Sequence, residues 1–153
     1  MNRHQFSTAV LKPTLHKIGL YSHEAERLLI GTAIQESRLK YIVQLGGGPA
    51  LSYFQIEPDT IHDINENYLK FRPSLKEKAD YFKVENISVE EQIVWNMALS
   101  VVYARLHYRR IPEKLPDADD LTGQARYWKR YYNTALGRGT EEEYIANYRR
   151  EIE

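Results

Sequence analysis

Residues 22–37, SHEAERLLIGTAIQES, decide how the chain is read. Ser22 offers a side-chain acceptor where a helix N-terminus needs one. Ala25, Leu28, Leu29, Thr32 and Ala33 then follow at the i, i+3, i+4, i+7 and i+8 spacing of one helix face. Glu36 lies seven residues after Leu29 and three after Ala33, so it continues the inward stripe and not the wet face. The helix should end within a turn of Glu36, because LGGGP follows at 45–49. A carboxyl at the negative end of a helix, among apolar neighbours, has two reasons to keep its proton, since desolvation and the macrodipole both disfavour the anion. An acid held partly protonated near neutral pH is what general-acid cleavage of a glycosidic bond needs. On spacing alone the alternative is a Glu paired with a nearby cation such as Arg38.

Working outward, the rest of the chain is also helical in period. SVEE at 88–91 is a capping-box pattern and predicts one long helix carrying Val94, Met97, Ala98, Val101 and Val102 on one side. TEEE at 140–143 is a second capping box, with acids where a helix N-terminus favours them. Leu121, Ala125, Trp128 and Tyr132 form another stripe. Breaks fall at Pro13, LGGGP at 45–49, RPS at 72–74, IPEKLPDADD at 111–120 and LGRG at 136–139. Alternation never persists long enough for a sheet, although ALSYFQI at 50–56 suits a short hairpin strand. The expectation is a mostly α fold, one domain over residues 1–153, with a small β-hairpin near 45–56.

Composition narrows the function classes. A chain of 153 residues is one domain's worth, and the lack of Cys excludes a disulfide scaffold, a thiolate zinc site and a thiol nucleophile. Twenty-one basic and 21 acidic residues give zero net charge, which argues against a nucleic-acid partner bound through phosphate neutralisation. No apolar run approaches the ~18 residues of a membrane span. His4, His16, His23, His62 and His107 show no metal-ligand spacing, and GGGP at 46–49 lacks the lysine of a phosphate loop, so no cofactor or metal is expected. The 12 Tyr, with 2 Trp and 4 Phe, suit a polar cleft, because amphipathic rings line such surfaces. An extended glycan needs amides for its hydroxyls and aromatic faces for its rings. Gln55, Asn96 and Asn133 are candidate amides, and Tyr53, Tyr103, Tyr131 and Tyr132 candidate faces.

Five blocks in order carry a resemblance. QES at 35–37, SYFQIEPDT at 52–60, NMALSVVY at 96–103, YYNTALG at 131–137 and GTEEEYI at 139–145 together span most of the chain. They are similar to the motifs of soluble lytic transglycosylases and goose-type lysozymes. Those carry a Glu-Ser pair at a helix end, a Gly-Leu-Met-Gln-x-x-Pro-x-Thr segment, an Asn seven residues before a Tyr, a Tyr-Asn-Ala-Gly and an acidic-Thr stretch before Tyr-Val. The resemblance implies a lysozyme-like helical fold that cleaves peptidoglycan between N-acetylmuramic acid and N-acetylglucosamine. Glu36 would be the acid that protonates the leaving oxygen and then the base that helps the muramoyl 6-hydroxyl attack, giving a 1,6-anhydro sugar. Ser37, Gln55, Asn96, Tyr103, Tyr132 and Asn133 would contact substrate or support Glu36. Tyr132 would donate its hydroxyl to Glu36, while Tyr131, rotated by about 100°, would point elsewhere.

Departures bear on specificity. Ser52 stands for the family's first Gly, Tyr53-Phe54 for Leu-Met, Glu57 for an apolar residue, Ser100 for a Gly and Ala135 for the Gly after Asn-Ala. Two-carboxylate glycosidases need a partner acid about 5–9.5 Å from the first. Glu57, Asp59 and Asp63 are candidates, though EPDT reads better as helix-start chemistry with Pro58 in the first turn. The expected partners are peptidoglycan glycan strands. With no export signal in MNRHQF, the expected setting is a phage virion or tail acting at the bacterial wall. The competing expectation is a non-catalytic tail protein that keeps the fold.

Overall fold

A computed structural model describes residues 1–133 and 136–152. The chain opens with a continuous helical run: α1 (Arg3–Phe6), a π-helical turn Ser7–Leu11 and α2 (Lys12–Lys17). Pro13 does not break this run, as its sequence position suggested. The π turn before it widens the hydrogen-bond ring, with Lys12 N–H reaching the Ser7 carbonyl, and so accommodates a residue that lacks an N–H.

Next comes α3 (His23–Ser37), capped by the Ser22 hydroxyl accepting from Ala25 N–H. It is buried continuously from Leu28 to Ile34 and stops where Arg38 and Leu39 both turn left-handed, at φ +53°. The segment to residue 57 is irregular. The hairpin expected near 45–56 is reduced to two isolated antiparallel bridges, Val43 with Leu51 and Leu51 with Ile56. Left-handed Ser52 and Gln55 curl the backbone too tightly for a ladder to continue.

Then follow α4 (Pro58–Asn67), a 3₁₀ turn Leu69–Phe71, α5 (Pro73–Asp80), α6 (Val89–Gln92) and α7 (Met97–Arg109). The long helix expected from SVEE is therefore two. Asn96 interrupts it by accepting from Leu99 N–H at 3.0 Å while donating to the Phe82 carbonyl at 2.7 Å, which makes it the cap of α7. The last elements are α8 (Leu121–Trp128), a π-helical turn Lys129–Asn133 and α9 (Glu141–Ile152). α9 has the reciprocal capping box between Thr140 and Glu143.

The protein is mostly helical, as its apolar period predicts. Among the described residues no helix is long and apolar enough to cross a membrane. α7 is buried on every side from Leu99 to Leu106, as expected of a helix that is apolar all round. α3 lies against it, joined by the Thr32–Tyr108 hydroxyl pair at 2.7 Å, and α9 covers the other side of α3. Two long-range bonds lock α9 down, Arg27 to the Tyr148 hydroxyl at 2.9 Å and Asn147 to Gln35 at 2.7 Å.

This packing needs Gly31. A Cβ there would stand 1.9 Å from the Tyr144 hydroxyl oxygen and 2.5 Å from its Cζ, and the ring, itself 1% exposed, has nowhere to swing. Gly31→Ala should therefore destabilise the fold by about 1–3 kcal/mol, although Ala is the better helix former. Equilibrium urea unfolding measures this, and an unchanged midpoint would mean that α9 does not pack on α3 as described.

Candidate active site

Glu36 sits one residue from the end of α3, half-buried, on the floor of an open cleft of ≈ 680 Å³. The α3 end, the loop before α4, α7 and the turn after α8 bound this cleft. Burial pushes the Glu36 carboxyl up to about 7, opposed by a hydrogen bond from the Trp128 indole N–H to Oε1 at 2.9 Å. Among the described residues no cation pairs with Glu36; Arg38 is exposed and leads the chain away. Of the two possibilities that spacing left open for Glu36, the proton-holding acid is the one the geometry carries.

Trp128 is fully buried, its ring 5.4 Å from that of Tyr144. Gly139 lets the chain cross over it, because a Cβ at that position would meet Trp128 Cη2 at 2.5 Å. The indole is therefore held from both sides and has no freedom to leave the carboxylate.

The site residues named from the sequence divide into two groups. Gln55, Tyr132 and Asn133 line the cleft with Glu36. Gln55 holds φ +49° and its amide donates to the Ser52 carbonyl at 2.8 Å; Asn133 accepts from Lys129 Nζ at 2.7 Å. Ser37, Asn96 and Tyr103 do not line it. The Ser37 hydroxyl is buried, donating to the Ala33 carbonyl and accepting from Leu39 N–H, so it shapes the α3 terminus. Asn96 is the α7 cap. Tyr103 lies in the core, where its hydroxyl donates to Asn65 Oδ1 at 2.7 Å, and burial pushes its pKa above the usual tyrosine range.

Tyr132 does not donate to Glu36. Its hydroxyl donates to the Phe54 carbonyl at 2.5 Å and pins the loop 51–56 to the turn after α8. Tyr131 does not point away either: it lines the cleft too, with its hydroxyl on Glu113. The π-helical turn Lys129–Asn133 is the reason, since its wider ring changes the angular step assumed for an α-helix. Tyr53, the other candidate face, packs edge-on against Phe6 at 5.9 Å, outside the cleft. The departure at Ala135 lies outside the described residues.

Among the cleft residues that escaped the sequence reading are Tyr41, Gln44, His107 and Arg138. His107 lies four residues after Tyr103, so helical spacing sets it beside the apolar stripe of α7. Of the acids weighed as a second carboxylate, Glu57 lines the cleft, exposed at the N-cap of α4 without capping it by its side chain. Asp63 instead pairs with Arg110, and Asn67 and Arg110 hold its carboxyl below the usual range. Among the described residues no three His, Asp or Glu converge as a metal set. Comparison with protein-family models, with curated proteins and with solved structures finds no match for this chain.

Two outcomes follow from the Glu36 environment. Trp128→Phe removes the donor that stabilises the anion, so the Glu36 pKa should climb further above 7, whereas Tyr132→Phe should leave it unchanged. Carboxyl ¹³C titration reads both. Stability provides the second. Below about pH 4.5 Glu36 is protonated whether folded or not; between about pH 4.5 and 7 only the unfolded chain ionises it, so the wild type loses stability across that window and levels off once the folded chain ionises above 7. Glu36→Gln, isosteric with the protonated acid, should match wild type at pH 4 and exceed it at pH 8.5 by up to about 3 kcal/mol. A pH-independent difference in denaturant midpoint would contradict a raised pKa.

Proposed function

We propose that the chain is a peptidoglycan-cleaving muramidase of the lytic transglycosylase kind, cutting the β-1,4 bond between N-acetylmuramic acid and N-acetylglucosamine with Glu36 as acid and then base. The observation that carries this reading is a carboxyl poised near neutrality on the floor of an open cleft lined by amides and tyrosines. The five ordered sequence blocks add the substrate class, the glycan strands of peptidoglycan.

The chemistry needs few parts. Protonated Glu36 gives its proton to the glycosidic oxygen as the anomeric C–O bond breaks, and the acetamido oxygen of the same sugar shares the developing positive charge. The Glu36 carboxylate then takes the proton of the C6 hydroxyl as that oxygen bonds the anomeric carbon. The product is a 1,6-anhydro end, no water is consumed, and Glu36 returns to its starting state. The Trp128 N–H steadies the intermediate carboxylate without a full opposing charge, so the acid stays strong enough to donate and the base strong enough to accept.

A second reading has one observation behind it. Glu57 faces the same cleft with its carboxylate free of capping duty, so it is the acid that would activate water in a two-carboxylate hydrolysis. Murein zymography and mass spectrometry of the released muropeptides separate the two. Glu36→Gln should abolish cleavage, a loss of ~10²–10⁴-fold or more, while Glu57→Gln and Asp63→Asn keep most activity and the product stays one water lighter than a hydrolysed end. The alkaline limb of kcat should fall near pH 7, where Glu36 loses its proton. Loss at Glu57→Gln equal to that at Glu36→Gln, with a hydrated product, would select hydrolysis. A wild type that leaves murein intact would select the non-catalytic role.

A further inference from the structure

The cleft wall holds a histidine to which the reaction above gives no task. His107, on α7, is half-buried and lines the cleft. Its Nδ1 lies 2.7 Å from Arg110 Nη2. A guanidinium has N–H donors, no acceptor and no accessible neutral form, so Nδ1 can only accept. The proton of the neutral ring must then sit on Nε2, for which the described residues provide no hydrogen-bond partner.

The tautomer is braced behind and beside. Arg110 Nη1 pairs with Asp63 Oδ2, and Asp63 is tied by Asn67 at 2.6 Å. The ring of Tyr132 meets the imidazole edge-on at 4.6 Å, and that of Tyr108 lies tilted at 6.2 Å. A second proton on Nδ1 would aim an N–H at the guanidinium. Burial and the Arg110 charge accordingly push the imidazole down to about 4, with Asp63 opposing. His107 is thereby barred from acid–base work near neutral pH and left with one capacity, a neutral hydrogen-bond donor of set direction.

We infer that His107 is a specificity-determining residue whose Nε2–H binds a carbonyl oxygen of the substrate, that of an acetamido group, while Arg110 and Asp63 act as positioning residues that fix the tautomer. An acetamido carbonyl is an acceptor only, matching a ring nitrogen that can only donate. A sugar bearing a hydroxyl in its place presents a donor as well, and its oxygen lies one bond from the ring carbon where the carbonyl oxygen reaches three bonds out toward the imidazole. The inference rests on the glycan-cleaving reading and names the substituent that reading has to recognise.

The test uses the full chain with Glu36→Gln as background, so that the probes are bound and not turned over. By calorimetry, N,N′,N″-triacetylchitotriose should bind the background about tenfold or more tightly than it binds the added His107→Phe, while His107→Gln, which keeps an N–H donor, stays within about threefold. Cellotriose, with hydroxyls for acetamides, should bind weakly and equally to all three. Imidazole ¹⁵N spectra of wild type should report one Nε2–H tautomer from pH 6 to 8, and Arg110→Met should release a mixture, which a merely structural role for Arg110 would not produce. Equal chitotriose affinity in His107→Phe, or an Nδ1–H or doubly protonated ring in wild type, overturns the inference while murein cleavage stands. A wild type that fails to cut murein overturns the glycan-cleaving reading, and the inference with it.

Discussion

The hydrogen bond from the Trp128 indole to Glu36 is the interaction on which the rest of the site depends. Burying a carboxyl without a cation is costly, and the ordinary remedy, an ion pair, would hold the acid permanently ionised. A neutral N–H at 2.9 Å satisfies one oxygen yet leaves the protonated and ionised forms close in free energy at neutral pH. That balance is possible because the indole is fixed by the packing of α8 against α9, with Tyr144 on one side and the chain at Gly139 on the other. The helix pair that closes the core is thus also the support for the reacting group.

Backbone strain is gathered around the same carboxyl. Of the five non-glycine residues with positive φ among those described, all but Asn86 border it: Arg38 and Leu39 end the helix that bears Glu36, and Ser52 and Gln55 curl the loop opposite. Each left-handed non-glycine residue costs of order 1 kcal/mol and persists only where its surroundings overdetermine it. Here they do. Leu39 is buried with its N–H on the Ser37 hydroxyl, Phe54 is buried beside Phe6, and the Phe54 carbonyl is held by Tyr132. The same conformations turn Gln55 toward the cleft and take Arg38, the cation nearest in sequence, away from it.

Much of the helical frame, and Glu36 itself, was legible in the amino-acid sequence. Local signals act over a single turn of chain, and those were reliable: Ser22 and Thr140 cap their helices, Pro58 opens α4, and the stripe from Ala25 to Ala33 faces inward and carries Glu36 to a helix end. What the sequence could not determine is which side chains meet across the fold. Ser37, Asn96 and Tyr103 were expected from the resemblance, but the bonds of the α3 end claim Ser37, the α7 cap and the Phe82 carbonyl claim Asn96, and Asn65 claims Tyr103. The register after α8 needed the π-helical turn, which no local pattern announced, and it brings both Tyr131 and Tyr132 to the cleft. The partner of Glu36 lies 92 residues away, and the ring state of His107 is set through an arginine held by Asp63 on another helix. Sequence periodicity determined where an acid would be buried; only the tertiary packing of α8 and α9 decided that it would be buried beside a neutral donor, because that contact depends on distances between helices that no spacing along one of them encodes.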